Sequence, residues 1–478
     1  MMWAADKPRE HCGIFGIYGP GLDIARHTYY GLFALQHRGQ ESAGIAVTNG
    51  RRINLHKGMG LVPEVFDSRT LDNLAGLAAI GHVRYSTTGA SHPINAQPLV
   101  FYYAGGQIGL AHNGNLTNAV ELRKQLSSTG AVFQTTTDSE VIINLIARYS
   151  QSTLEEALMK CMIDIKGAYS LVMLTEDRVL AVRDPYGFRP LCLGKIGENK
   201  FVVASESCAL DTIGAQFVRD VEPGEIVILD QNGITSRKGL AHNKRAHCVF
   251  EYIYFARADS NLDGFNVNRV RREMGRQLAR EYAVKADVVL PVPDSGIPAA
   301  KGFAEEAGIP LEEGLMKNRY IGRTFIQPSQ EMRDLGVRLK LNPIREVLHG
   351  KRIVLVDDSL VRGTTSGKIV RMLRKMGAKE VHLCLSSPPI IRSCYYGIDT
   401  SNEKELIASR KSIDKIREFI GADSLNYLSL DGLLNVFGDY RDHFCTACFS
   451  GRYPVEPSDA RDGKFSLEEG FHDTVGQY

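Results

Sequence analysis

A chain of 478 residues exceeds what one hydrophobic core usually supports, so two domains are expected. Its 57 basic and 55 acidic side chains leave a net charge of +2, which gives no electrostatic reason to expect a nucleic acid or an anionic membrane as partner. No apolar run is long enough to span a bilayer, and residues 1–11 lack the apolar stretch of a secretory signal, so a cytoplasmic protein is expected. In that compartment the nine cysteines read as reactive groups, metal ligands or core residues rather than as a disulfide framework.

From Cys12 to about Ser236 the chain is rich in short strands and glycine turns. Segments 13–18, 108–112, 170–174, 179–182 and 201–205 predict strands, while 25–36, 118–127 and 139–149 predict helices. An α+β domain with stacked sheets is the expectation. Beyond about Leu240, helix 269–282, strand 286–291, helix 297–307, strand 352–356, helix 368–376 and strand 380–386 alternate, which predicts a doubly wound α/β domain. Residues 317–342, with Arg319, Arg323, Arg333, Arg338 and Lys340, are polar and basic, either a mobile lid over an anionic ligand or a solvated loop. The chain from about residue 457 is polar and is expected to fray.

Cys12 stands in His-Cys-Gly-Ile-Phe-Gly-Ile-Tyr-Gly at the start of the first predicted strand, behind eleven residues that read as a leader. Were the leader removed, Cys12 would carry a free α-amine of pKa about 7.7 to 8.0, so that nucleophile and general base belong to one residue. A buried, inert cysteine is the alternative. Its companions favour chemistry: Arg84 in Gly-His-Val-Arg-Tyr-Ser-Thr-Thr-Gly is a cation for a carboxylate, and Asn113 and Gly114 in Ala-His-Asn-Gly can donate to an oxyanion. Asp138, in Thr-Asp-Ser-Glu, can hold an ammonium group. With Leu-Gln-His-Arg-Gly-Gln-Glu-Ser at 35–42 and Arg-Asp-Pro-Tyr-Gly at 183–187, this set resembles the class II (Ntn-type) glutamine amidotransferase family. The resemblance implies an α+β Ntn-hydrolase sandwich of stacked antiparallel sheets between helices, and hydrolysis of glutamine to glutamate and ammonia. It implies Cys12 as nucleophile and base, Asn113 and Gly114 as the oxyanion hole, and Arg84 and Asp138 as the grip on the amino-acid end of glutamine. In the sequence as it stands, His11 blocks the catalytic amine.

The run Arg352 to Ser366 reads as a buried strand leading into an acidic pair and a hydroxyl-rich loop. Ligands of open α/β sheets bind beyond the carboxyl ends of such strands. Gly363, Thr364, Thr365 and Ser366 can cradle a phosphate at a helix start, whereas Asp357 and Asp358 suit ribose hydroxyls or Mg2+. An ATP-binding P-loop does not fit, because Gly363 and Gly367 are too close and Lys368 precedes Ile369. An acidic turn closing a Rossmann-like strand is the plainer alternative. The segment resembles the 5-phosphoribosyl-1-pyrophosphate (PRPP) motif of the type I phosphoribosyltransferase family, with its α/β doubly wound sheet. That resemblance implies PRPP contacts from Asp357, Asp358, Ser359, Arg362, Gly363, Thr364 and Thr365, and Mg2+ contacts from Ser295, Asp357 and Asp358. Ser295, in Val-Pro-Asp-Ser-Gly-Ile-Pro, reads equally well as a helix N-cap on its own. Tyr254 and Arg257, in Tyr-Phe-Ala-Arg-Ala-Asp-Ser, resemble a family segment near the PRPP site, although Ala258 replaces the expected proline.

Cys445 and Cys448 form a Cys-x-x-Cys, and Cys248 and Cys394 lie just outside the predicted α/β core. Four soft thiolates satisfy either Zn2+ or a [4Fe-4S] cluster, and His247 or His443 could replace one cysteine. Cys161, Cys192, Cys208 and Cys384 sit in apolar surroundings and read as core. Joined in one chain, the two halves resemble the glutamine phosphoribosylpyrophosphate amidotransferase family, and in particular its branch with a cleaved leader and a four-cysteine iron-sulfur cluster. The implied organisation is a leader at 1–11, an amidotransferase domain at 12–240, a phosphoribosyltransferase domain with the cysteine cluster at 241–456, and a polar tail at 457–478. The implied reaction uses ammonia from glutamine to displace pyrophosphate from PRPP, giving 5-phosphoribosylamine for purine synthesis. Purine nucleotides as feedback inhibitors and a homo-oligomer, tetramer or dimer, are implied as partners. Against these stand another glutamine-dependent synthase, which should carry a different second half, and a PRPP-sensing regulator built on a dead amidotransferase, against which the retained Cys12, Arg84, Asn113, Gly114 and Asp138 argue.

Overall fold

The structure is a computed structural model that describes residues 12–85, 91–240, 242, 244–318, 341–400, 403–457 and 467–468. Residues 1–11, read above as a leader, residues 86–90 at the end of the Arg84 motif and just after it, the basic stretch 319–340 and nearly all of the tail lie outside the described residues.

The strand Gly13–Tyr18 is buried along its whole length because both of its faces are covered. Side chains alternate across a strand. Phe15 and Ile17 therefore pack with Leu32 of the helix Ile24–Ala34, whereas Ile14 joins Ile80, Val172 and Val227 between two sheets. The first sheet has seven strands in the order Gln216–Asp220, Cys192–Lys195, Phe201–Ala204, Gly13–Tyr18, Ala78–Arg84, Ser42–Thr48 and Ile53–Met59. The second has six, in the order Gly233–Lys238, Glu225–Asp230, Val179–Arg183, Gly167–Leu174, Gly106–Leu116 and Leu99–Tyr103. Helices Ala119–Ser128, Ser139–Arg148 and Leu154–Asp164 cover its outer face. The result is a helix-sheet-sheet-helix sandwich, with every strand pair of both sheets antiparallel. Leu467, in the part of the chain expected to fray, is buried in the core under these three helices.

The second half contains a four-stranded parallel sheet in the order Val288–Pro291, Arg352–Asp357, Glu380–Leu385 and Ser424–Tyr427. Val354 and Val356 face the helices Val267–Glu281 and Ile297–Ala307 through Met274 and Phe303. Ile353 and Leu355 face Thr364–Lys375 and Ile413–Ile420 through Ile369, Leu373 and Ile416. A strand covered on both faces is apolar without interruption, which is the pattern this run displays.

A dense set of buried charges joins the halves. Arg38 is 1 % exposed and forms ion pairs with Glu206 and Glu251. The Arg183 guanidinium donates to both carboxylate oxygens of Asp263 at 2.8 and 2.9 Å. This explains two amidotransferase motifs structurally: the arginine of Leu-Gln-His-Arg and that of Arg-Asp-Pro-Tyr-Gly both anchor the second half to the first.

Candidate active sites

Cys12 opens the strand Gly13–Tyr18, and the register Gly13 to Val83 brings it beside Arg84 at the end of the neighbouring strand. Its Sγ–H donates to the Tyr85 carbonyl at 3.5 Å. Burial pushes the thiol up to about 11, against the opposing pull of the Tyr85 backbone and the Arg84 guanidinium. Cys12 is therefore a neutral thiol at physiological pH and needs a base. Neither nearby histidine suits that role: burial holds His82 down to about 3 and also lowers His112.

Arg84 is buried within the field of Cys12, Glu41 and Asp138. Asp138 precedes the helix Ser139–Arg148, accepts the Leu116 N–H at 2.9 Å and lies 3.7 Å from His112 Nδ1. Asn113 and Gly114 stand between those two contacts, on the strand Gly106–Leu116. Both polar atoms of the Asn113 amide are buried without a hydrogen-bond partner among the described residues. Leaving such a group unbonded costs about 1–3 kcal/mol, and a substrate oxygen accepting from Nδ2 would recover the donor's share. Gly114 has φ 148°, and a Cβ there would lie 2.0 Å from the Ala168 carbonyl oxygen, so only glycine fits. Sequence reasoning missed Glu41 and Lys57; the Lys57 ammonium, lowered to about 8 by burial and then by Arg84, belongs to the same electrostatic neighbourhood. The only sequence signal was the segment around Arg38, in which Glu41 lies.

At the second site Asp357 ends its strand and Asp358 follows, 2 % and 1 % exposed. The Asp358 carboxylate accepts the Ser359 hydroxyl at 2.6 Å on one oxygen and the Ser295 hydroxyl on the other. Ser295 comes from the loop after the adjacent strand Val288–Pro291, so the predicted partners meet at the carboxyl edge of the sheet. Gly363, at φ 75°, turns the chain into a helix that begins at Thr364, four residues earlier than the predicted 368, and places Thr364, Thr365 and Ser366 in its first turn. Such a helix start favours an anion. Arg362 forms an ion pair with Glu405 in this structure. Tyr254 lies in a π-helical turn, Glu251–Phe255, half-buried against Phe255. Arg271 was missed, hidden among the polar positions of its helix. It donates to the carbonyls of Tyr252 and Ala256 at 2.7 and 2.8 Å, and burial lowers it to about 10 against the field of Asp358.

Cys248 and Cys445 are register partners in a short parallel pair, His247–Cys248 with Phe444–Cys445, and Cys448 lies on the next turn, Ala447–Ser450. With Cys394 they line one small apolar cavity together with Phe188, Phe250 and Tyr396. Burial pushes the Cys248 thiol up to about 11, and burial and mutual repulsion raise Cys445 and Cys448 further. Among the described residues no three His, Cys, Asp or Glu side chains gather closely enough to hold a single metal ion. A cubane cluster places each thiolate on its own iron and so tolerates a wider set; the donor chemistry fits that group. His247 is taken by Gly187, Arg183 and Asp263, and His443 does not line the cavity, so the cysteines stand without histidine substitutes. Cys161, Cys192, Cys208 and Cys384 are buried core residues, as expected.

Residues 82–212 match a model described as a glutamine amidotransferase domain, and residues 262–393 match a phosphoribosyl transferase domain. An amidophosphoribosyltransferase of Synechocystis sp. is 52% identical over 97% of this chain and 95% of its own length. The Bacillus subtilis amidophosphoribosyltransferase is 52% identical over 94% of both chains. A solved B. subtilis glutamine PRPP amidotransferase, complexed with ADP and GMP, superposes with a TM-score of 0.89 at 50% identity, covering 95% of this chain and 100% of that one. Two family matches in one chain, one in each half, and identity sustained from end to end lead to one conclusion: the chain belongs to the amidophosphoribosyltransferase family.

Proposed function

We propose that this protein catalyses glutamine-dependent amidotransfer to PRPP, the first committed step of purine biosynthesis. The observation that carries the reading is the coexistence of the Cys12, Arg84 and Asp138 neighbourhood with the Ser295 and Asp358 pair at the edge of a parallel sheet. Arg84 and Asp138 hold the carboxylate and ammonium of glutamine. Once the leader at 1–11 is cleaved, the Cys12 α-amine takes the thiol proton, and Sγ attacks the side-chain amide carbon. Asn113 Nδ2 and the Gly114 N–H hold the oxyanion; ammonia leaves, and water hydrolyses the thioester to glutamate.

At the other site the first turn of Thr364–Lys375, with Ser359, Arg362 and Gly363, holds the 5-phosphate and ribose, and Tyr254 adds a PRPP contact. Ammonia attacks C1, pyrophosphate departs, and 5-phosphoribosylamine forms. Ser295, Asp357 and Asp358 would hold Mg2+, which when bound neutralises the departing pyrophosphate. Cys248, Cys394, Cys445 and Cys448 would hold a [4Fe-4S] cluster, which when bound ties together the chain segments that carry them. A single Zn2+, the alternative occupant, needs donors closer together than the described ones lie; it is colourless, so a visible spectrum of anaerobically purified protein separates the two.

The same reading takes 12–240 and 241–456 as the two domains, a cytoplasmic homo-oligomer, dimer or tetramer, as the working form, and purine nucleotides as inhibitors, as the ADP and GMP in the B. subtilis complex suggest. Among the described residues no helix is long and apolar enough to cross a membrane. The test combines intact mass with pyrophosphate release. A mature chain beginning at Cys12 that releases pyrophosphate only with PRPP and an ammonia source is expected; a full-length, fully active chain would overturn the N-terminal nucleophile.

A further inference from the structure

The strand Gly106–Leu116 pairs with Gly167–Leu174 from Gly109 to Leu116, but with Leu99–Tyr103 only as far as Leu110. The stretch carrying Asn113 and Gly114 thus has a strand on one side only. A glycine has no side chain to limit rotation about its α-carbon, so beyond that one ladder its peptide planes depend on what packs against the open side. The second half of the chain packs there. Asn115 Nδ2 donates to the Tyr395 carbonyl at 3.0 Å. Gly397, at φ 108°, lies so close that a Cβ on it would stand 3.2 Å from the Gly114 carbonyl carbon and 3.3 Å from Arg189 Nη2.

The loop making these contacts is itself well anchored. Arg189 donates to the Tyr396 carbonyl, and the Tyr396 ring stacks on Phe188 at 4.4 Å between centroids. Its hydroxyl donates to the Val455 carbonyl at 2.6 Å, and its N–H to Cys394 Sγ at 3.4 Å. The loop is therefore a firm surface pressed against the peptide that follows Gly114.

We propose that Asn115 is a positioning residue for glutamine hydrolysis: by tying the Gly114–Asn115 peptide to the Tyr395–Gly397 loop, it limits rotation about the Gly114 α-carbon, the joint between that peptide and the Asn113–Gly114 peptide whose N–H receives the oxyanion. The inference rests on the oxyanion role assigned to Gly114 above. It makes the glutaminase site incomplete without a loop from the phosphoribosyltransferase half, so the two activities share a physical part and not only a chain. A mis-aimed N–H weakens the transition state more than the bound substrate, so the effect belongs in kcat.

The test uses processed, full-length protein and compares Asn115→Ala, which removes the donor, with Asn115→Gln, which keeps an amide donor on a longer stem. For Asn115→Ala the expected result is a fall of about tenfold or more in kcat for glutamine hydrolysis, since a lost oxyanion donor costs about 10²–10³ and a loosened one less. KM for glutamine, alkylation of Cys12 by iodoacetamide and ammonia-dependent synthesis stay at wild-type values, and Asn115→Gln recovers part of the loss. Equal losses with glutamine and with ammonia, or no loss in either, would overturn the proposal. A wild-type protein that does not hydrolyse glutamine would instead remove the functional reading beneath it.

Discussion

The Asn113 amide is buried with neither polar atom bonded among the described residues, which leaves it ready to bond a ligand. Replacing it with a nearly isosteric apolar side chain should separate activity from stability. Asn113→Leu is expected to lower glutamine-dependent kcat by about 10²–10³ while denaturant unfolding stays level or shifts to higher concentration; a variant that loses both would mean the amide is bonded in the resting protein. Cys12 gives a matching pair of expectations. Cys12→Ala should abolish glutamine-dependent pyrophosphate release and leave the ammonia-dependent reaction intact. Burial outweighs the opposing pull of the Tyr85 backbone and the Arg84 guanidinium and raises the thiol to about 11, so the folded protein holds its proton across the range where the base works. The pH dependence of kcat/KM for glutamine should therefore rise through the α-amine, at about 7.7–8.0, and then level off without a second rise until the thiol itself ionises. A single inflection below pH 7 would point to a different base.

Elements were legible where one period dominated. Residues 353–356 read as a strand covered on both sides, and the faces divide as the alternation requires, Ile353 and Leu355 to one helical layer, Val354 and Val356 to the other. Leu355 is fully buried, and Leu355→Ala is expected to cost about 2–5 kcal/mol, read as a shifted denaturant midpoint with an unchanged slope. The strand Gly106–Leu116 was predicted four residues short at its end because Asn-Gly is a strong turn signal. Pairing of Asn113 with Ser170 and of Gly114 with Tyr169 overrides that local preference, and it does so at the residues proposed to bind the oxyanion. The strands Ser42–Thr48 and Ala78–Arg84 were not predicted, since their glycines and small residues carry little period; their order is set by pairing with Gly13–Tyr18 and with each other. The four cysteines could be paired by chemistry but not by spacing, since Cys248 and Cys394 meet Cys445 and Cys448 only through the tertiary fold.

At the scale of the whole molecule, a buried ion network joins the halves beside the apolar contact of Phe188 with Tyr396. Arg38 bridges Glu206 from the sandwich and Glu251 from the second half, with Arg189 also at Glu251, and Ser260 and the Arg257 N–H bond Glu206 at 2.6 and 2.9 Å. Breaking a buried pair leaves an uncompensated charge, a loss of about 3–5 kcal/mol; Arg38→Met would leave Glu206 without its main partner and is expected to cost that much, seen as a lower thermal midpoint. Burial alone would raise the Glu206 carboxyl, but Arg38 and His37 hold it well below the ordinary carboxylate range. A carboxyl depressed in the folded state contributes stability above its unfolded pKa, about 4.3 for glutamate, and loses it as pH falls toward the folded value. The Glu206 contribution to the interface should therefore be constant from neutrality down to about 4.3 and fall below it, whereas Arg38→Met should lose that acid-side slope. Limited proteolysis between the halves, followed from pH 7 to pH 3, distinguishes the two: a rise in cleavage below the glutamate range in wild type that is missing in the variant, whose cleavage is already high at pH 7, is the expected pattern, and an identical profile in both would mean that the ion network does not hold the halves together.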